Sequence, residues 1–319
     1  MWTGGQSMKI VFIGDVQLDD RTPRMRKDDY CLAIIKKLNW IFQWCVHNKI
    51  DRIYFLGDLF NRKEVGGRAR NLLIRLFKKF HGTDGFPDCY ITIGNHDTSN
   101  DLNNLKTSTL WTLIQIGYLR YTEYDPEFKV AFVHHYVKVD RDISEKGLHH
   151  KDALIWSIHA SLYPNEYEYA LNFNDINISG PAQLFVCGHI HSSYKCKRKD
   201  GRILINPGHI GRNAYNETTP EHKVQILYVE HDGENILKKQ LVPVEAALDY
   251  TEVFDIERIN LQTHIKDQVK KIVHDNSSVD TYEGIHDINT VVEFAKKTIK
   301  NKNVVELIIK SLGEANDKS

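Results

Sequence analysis

Five short clusters of oxygen and nitrogen ligands recur between residues 15 and 191, and most of them close a run of apolar residues. Asp15-Val16-Gln17 follows Lys9–Ile13, and Gly57-Asp58-Leu59-Phe60-Asn61 follows Ile53–Leu56. Gly94-Asn95-His96-Asp97 follows Tyr90–Ile93, His134-His135 follows Val130–Val133, and Gly188-His189-Ile190-His191 follows Leu184–Cys187. Each run is short, rich in β-branched or aromatic residues, and ends at a polar group. That is the pattern of a buried strand delivering a ligand at its C-terminal end, and it implies an α/β chain. Asp, Asn and His without cysteine suit a hard or borderline divalent ion such as Mn, Mg, Fe or Zn. One cluster would mean little; five in order point to a metal site.

Between the clusters the spacing changes from two to between three and four. Residues 28–47 read as a helix, with apolar positions at 31, 34, 35, 38, 41, 42 and 45, and 68–80 and 106–116 read as two more. Trp40, Trp44 and Trp111 fit helix packing. Ile203–Asn206, Val224–Val229 and Ile236–Val242 read as strands, the last two joined by a turn at Asp232-Gly233. From Leu261 onward only helical spacing is found, as in Ile265, Val269 and Ile272. The reading is therefore two domains, 8–250 with an insert near 144–180 that no pattern explains, and a helical segment over 251–319. A chain of 319 residues with 41% hydrophobic content can bury one large core and a small appendage. No stretch approaches the ~20 apolar residues of a membrane span, so no membrane partner is expected. Residues 1–7 have no apolar core of the signal type, which argues against secretion. The five cysteines show no paired spacing and are expected as reduced thiols. Lys plus Arg equals Asp plus Glu at 42 each, so global charge says nothing in favour of nucleic acid.

The order and spacing of the clusters resemble the calcineurin-like metallophosphoesterase superfamily, whose motifs run D-x-H, G-D-x-x-[DN], G-N-H-[DE], a lone His, and G-H-x-H. The resemblance covers roughly 8–215 and departs at Gln17, where most of the family has His. It implies two mixed β-sheets in a sandwich flanked by helices, with two divalent ions, Mn foremost, on loops beyond the strand ends. Matched residue by residue, one ion takes Asp15, Gln17, Asp58 and His191, and the other takes Asp58, Asn95, His189 and His134. Asp58 is the shared bridge. Gln17 either ligates through its amide oxygen or hydrogen-bonds a water at the ion. His134 is favoured over His135 because it stands directly at the strand end, and neighbours in a strand point to opposite faces. His96 matches the catalytic histidine, and Asp97 is expected to orient its ring by a carboxylate–histidine hydrogen bond.

The match is closest to the SbcD type of DNA double-strand-break repair nuclease, on Gly14-Asp15-Val16-Gln17-Leu18, Gly57-Asp58-Leu59-Phe60, Gly94-Asn95-His96-Asp97, Gly188-His189-Ile190-His191 and Ile205-Asn206-Pro207-Gly208. It implies DNA as substrate and an SbcC-type coiled-coil ATPase docking on the C-terminal helices. A homodimer and the cytoplasm of a bacterial or phage-infected cell go with it. His209 departs from the small residue usual after that glycine; it either adds a nitrogen near the site or fills a gap. Arg21, Arg24, Arg62 and Arg68, with neighbouring basic residues, follow the first two clusters and could meet a polyanionic backbone. Such runs are more often solvated faces, and Lys195–Lys199 reads as a hairpin tip. Two other classes stay open: a nucleotide or phosphoprotein phosphatase or phosphodiesterase, and a weakly catalytic metal-site scaffold.

Overall fold

The computed structural model describes residues 7–165, 170–215 and 220–260. Two mixed sheets carry the chain. The first has the order Ile236–Pro243, Gln225–His231, Met8–Ile13, Arg52–Phe55, Asp88–Ile91. The last three strands run parallel; Gln225–His231 pairs antiparallel with Met8–Ile13, and Ile236–Pro243 pairs antiparallel with Gln225–His231. The second sheet has the order Tyr194–Lys197, Ile203–Asn206, Leu184–Gly188, Ile155–His159, Val130–Val133, Tyr124–Asp125, with its four inner strands parallel.

Side-chain alternation decides how the sheets are covered. In Met8–Ile13, Ile10 and Phe12 join Tyr54, Leu56, Val130, Phe132, Leu184 and Val186 in a core between the sheets. Val11 and Ile13 face the other way, onto helices Tyr30–His47 and Gly67–His81. The outer face of the second sheet packs Ala131, Trp156, Ile158, Phe185 and Cys187 against helix Val139–Lys146 and the insert. This is the expected sandwich flanked by helices.

The Tyr30–His47 helix starts where Asp29 accepts the Leu32 N–H, an N-cap of the usual kind. The helix expected over 106–116 is broken in two. A 3₁₀ segment covers Leu102–Thr107, and Ser108 caps a separate helix Thr109–Gln115 by accepting from Trp111 N. Among its described residues the insert holds the end of helix Val139–Lys146, a central strand of the second sheet, Ile155–His159, and short strand pairs. Of its tyrosines, Tyr163 lies in a short strand, and 167 and 169 lie outside the described residues. The chain divides into two units at Phe254/Asp255. The helices read over 261–319 lie outside the described residues. No described helix is long and apolar enough to cross a membrane.

Candidate metal centre

The parallel strands Met8–Ile13, Arg52–Phe55, Asp88–Ile91, Ile155–His159 and Leu184–Gly188 send their C-terminal ends to one edge of the sandwich, where α/β sheets place ligands. The chain there is held in conformations it would not choose. Gln17, Asp58 and His189 have φ of 52°, 46° and 76°, a region costly for residues other than glycine and typical of functional sites. The backbone N–H groups of Val16 and Gln17 both donate to Asp58 O, which locks the first two clusters together. Gly94 lets the third cluster close on the second: a Cβ there would meet Asp58 Oδ1 at 2.1 Å.

Six side chains converge. Asp15 accepts from His189 N at 3.0 Å through Oδ2. Asn95 Oδ1 lies 2.9 Å from His189 Nδ1 and 3.0 Å from Nε2 of a residue the motif reading missed, His159. His159 stands at the end of its strand, fully buried, with Nδ1 3.5 Å from Asp15 Oδ1 and Nε2 3.5 Å from Asp58 Oδ1. Its Nδ1 is 2.7 Å from Leu56 O. A carbonyl only accepts, so Nδ1 carries a hydrogen, and Nε2 is the nitrogen turned into the cluster, the one that would meet a cation. On the far side His191 Nε2 is 2.9 Å from Gln17 Nε2.

The electrostatics follow from two carboxylates buried together. Burial pushes Asp15 up to about 7, offset in part by His159 and reinforced by Asp58. Burial works against Asp58 too, but His159 and His96 outweigh it and hold it near 2. Burial opposes a charge on His159, yet Asp58 and Asp15 raise it to about 9. The set therefore calls for positive charge at its centre. Donor chemistry agrees: ligand atoms of Asp58, His159 and His189 all lie within 4.8 Å of one another, and oxygen with imidazole nitrogen suits a divalent ion. The residues fit such an ion.

His134 does not join them. It shares a strand face with Phe132, whose ring stacks on it, and that face is the core between the sheets. Its Nδ1 takes the Ile93 N–H at 3.0 Å and its Nε2 gives to Thr122 O at 3.0 Å, so no lone pair is left for a cation. Burial lowers it to about 4. The next residue, His135, faces the cluster instead, its ring 5.4 Å from His189 and 5.9 Å from His159. The two neighbours do point to opposite faces, as period two requires, but it is His135 and not the expected His134 that faces the cluster. His159 follows a similar run, Leu154–Ile158, which is apolar but for Ser157 and is closed by the histidine.

His96 sits at the mouth, its side chain 39% exposed, with Nε2 3.9 Å from Asp58 Oδ2. Asp97 does not orient it. That carboxylate is buried and accepts from Gly94 N and Phe60 N at 3.0 and 3.2 Å, tying two loops together. Burial first, then Asp58, raises it to about 7. The His96 ring is held by Asn61 O, 2.7 Å from Nδ1. The His209 ring lies 4.7 Å from that of His191, tilted by 33°, and stacks on His222 at 4.5 Å.

The arginines separate into two kinds. Arg62 pairs with buried Asp19 at 2.7 Å and Arg68 with Asp29, so both already have anionic partners. Arg21 and Arg24 are exposed, with no side-chain partner among the described residues. Tyr194–Lys197 pairs with Ile203–Asn206 as the expected hairpin.

Residues 8–193 match the family model described as calcineurin-like phosphoesterase. Among solved structures, the chain is similar to a dimetal phosphatase from Danio rerio, at 15% identity and a TM-score of 0.44, over 75% of this chain and 99% of that one. It is similar to a protein titled as a candidate 5′-nucleotidase from Staphylococcus aureus, at 16% identity and a TM-score of 0.42, over 82% and 58%. A third is GAP50, the anchor in the inner membrane complex of Plasmodium, at 12% identity and a TM-score of 0.41, over 77% and 90%. No curated protein matches the chain.

Proposed function

This chain belongs to the calcineurin-like phosphoesterase family, and we propose that it is a two-metal phosphodiester hydrolase acting on DNA. The observation that carries the hydrolase reading is the convergence of Asp15, Asp58, Asn95, His159, His189 and His191, with His96 at the mouth. One cation position is made by Asp58, Asn95, His159 and His189. The other is made by Asp15, Asp58 and His191, with Gln17 beside them. When bound, two divalent cations supply electrophilic charge on the phosphoryl group and a nucleophile at neutral pH.

The chain's own residues do the rest. Asp58 fixes the His96 backbone by accepting its N–H at 2.9 Å. Asn61 O keeps a hydrogen on His96 Nδ1, so Nε2 is the atom that gives or takes a proton at the leaving oxygen. Leu56 O does the corresponding work for His159. Asp97 holds the Gly94 and Phe60 backbones, and with them Asn95 and Asp58, in register.

DNA as the substrate rests on the SbcD-type motifs and on Arg21 and Arg24, two exposed cations in the loop that follows Asp15, with no side-chain partner among the described residues. Mn-dependent hydrolysis compared on single-stranded DNA, double-stranded DNA, bis-p-nitrophenyl phosphate and cyclic nucleotides tests it. Turnover of cyclic nucleotides alone would move the chain to the phosphodiesterase class. Replacing Arg21 and Arg24 by alanine is expected to raise KM for DNA several-fold and to lower the salt dependence of binding by about one unit of log–log slope per phosphate contact. KM for bis-p-nitrophenyl phosphate should not move. Equal losses on both substrates would remove the arginines from DNA binding. For the partner, we propose an SbcC-type coiled coil docking on 251–319. Deletion after Asp255 should spare hydrolysis of the small ester and abolish that association, and association that survives the deletion refutes the docking role.

A further inference from the structure

The cation position at Asp15 contains one residue unlike imidazole or carboxylate, Gln17, and the structure gives that residue a partner outside every motif. Asn213, in the loop after strand Ile203–Asn206, donates from Nδ2 to Gln17 Oε1. The other end of the same amide, Gln17 Nε2, lies 2.9 Å from His191 Nε2. Gln17 is fully buried, and its backbone is pinned at both polar atoms. Its N–H donates to Asp58 O at 2.8 Å, and its carbonyl accepts from Tyr30 Oη at 2.8 Å. Only the terminal amide is left free to turn.

An amide has unlike ends: the oxygen has lone pairs for a cation, and the NH₂ group has none. Here the NH₂ end faces His191 and occupies that ring's Nε2, while the oxygen faces Asn213. A cation at this position meets the wrong end. Asn213 Oδ1, however, hydrogen-bonds to no described residue. If both amides turn over together, Gln17 Nε2–H donates to Asn213 Oδ1 in place of the present bond. The pair keeps its hydrogen bond, Gln17 Oε1 comes to face His191, and His191 Nε2 is released. Neither amide can turn alone without setting two donors or two acceptors against each other.

We propose that Gln17 and Asn213 form a coupled amide pair in which Asn213 determines the end of Gln17 that faces the cation position. A cation binds one orientation and draws the pair into it. Asn213 is thus a positioning residue, and this inference rests on the phosphoesterase reading above.

Calorimetric Mn²⁺ titration of a double-mutant cycle tests it. Asn213→Asp offers only acceptors, which holds the Gln17 oxygen inward; the weaker Mn²⁺ site should tighten by about fivefold or more, the effect of one hydrogen bond. Asn213→Leu offers neither donor nor acceptor and takes one hydrogen bond from each orientation alike, so the same site should change by less than about twofold. In a Gln17→His background, where the ring has no amide to turn, each Asn213 substitution should change the affinity less than about twofold. An added carboxylate could attract Mn²⁺ by charge alone, and then Asn213→Asp would tighten both backgrounds equally; that result overturns the pair, as does an unchanged affinity in Asn213→Asp. Unfolding temperatures without Mn²⁺ check that the variants fold, and the aspartate cycle decides alone if the leucine variant does not. A wild-type chain that binds no Mn²⁺ overturns the phosphoesterase reading itself, and this inference with it.

Discussion

His159→Ala is expected to remove one Mn²⁺ from the chain and nearly all phosphodiester turnover, whereas His134→Ala should keep both ions and most of the activity. The two histidines differ in where their lone pairs go. His159 gives Nδ1–H to Leu56 O and turns Nε2 toward Asp58 and Asn95. His134 spends Nδ1 on Ile93 N and Nε2 on Thr122 O. Loss of a residue that only supports a ligand costs roughly 10–100-fold, and loss of His159 should exceed that. The His134 variant should instead lose stability, by about 2 kcal/mol, because it leaves the Ile93 N–H and the Thr122 carbonyl unpaired in the core. Calorimetric stoichiometry, turnover of bis-p-nitrophenyl phosphate and the unfolding midpoint together separate the cases. A His134 variant short of one ion, beside a His159 variant that keeps two, would reverse the assignment.

That contrast shows what was legible in the sequence. A buried parallel strand reads as a short apolar run whose ligand follows its last residue, so the clusters that hold Asp15, Asp58, Asn95, His189 and His191 are legible in the pattern, and the resemblance picks these residues out of them. His159 obeys the same rule. It was missed because its strand sits in a stretch that no motif framed, while a more conspicuous His134-His135 pair competed for the role. Which of those two turns inward depends on which face of strand Val130–Val133 meets the first sheet. Sequence alternation separates the faces but does not say which is which; Phe132 settles it by packing between the sheets. Asp97 shows a second limit. Its carboxylate was assigned to the ring next to it in sequence, but a residue in a tight turn reaches backbone N–H groups sooner, and the ring found the Asn61 carbonyl from another loop. The arginines show a third. Arg62 and Arg68 looked free beside a predicted phosphate site, and their partners Asp19 and Asp29 come from a different segment of chain. Period and motif report what a residue's own element does; they are silent on what a second loop brings to it.

The His96→Ala variant separates proton transfer from cation binding. It is expected to keep both Mn²⁺ ions and to lose about 10²–10⁴-fold in turnover, the usual contribution of a general acid or base. The side chain is 39% exposed and reaches Asp58 Oδ2 only at 3.9 Å. The hydrogen on its Nδ1 is committed to Asn61 O. Its Nε2 therefore faces the mouth, where a substrate's leaving oxygen would sit. If that nitrogen delivers a proton, its loss should matter most for a poor leaving group. The fall in rate should be larger for DNA, whose leaving group is an alkoxide, than for bis-p-nitrophenyl phosphate, whose nitrophenolate departs without help. A ring that acted only by stabilising charge on the phosphoryl oxygens would cost both substrates alike. Loss of a Mn²⁺ ion in this variant would instead make His96 a ligand and end the acid–base role.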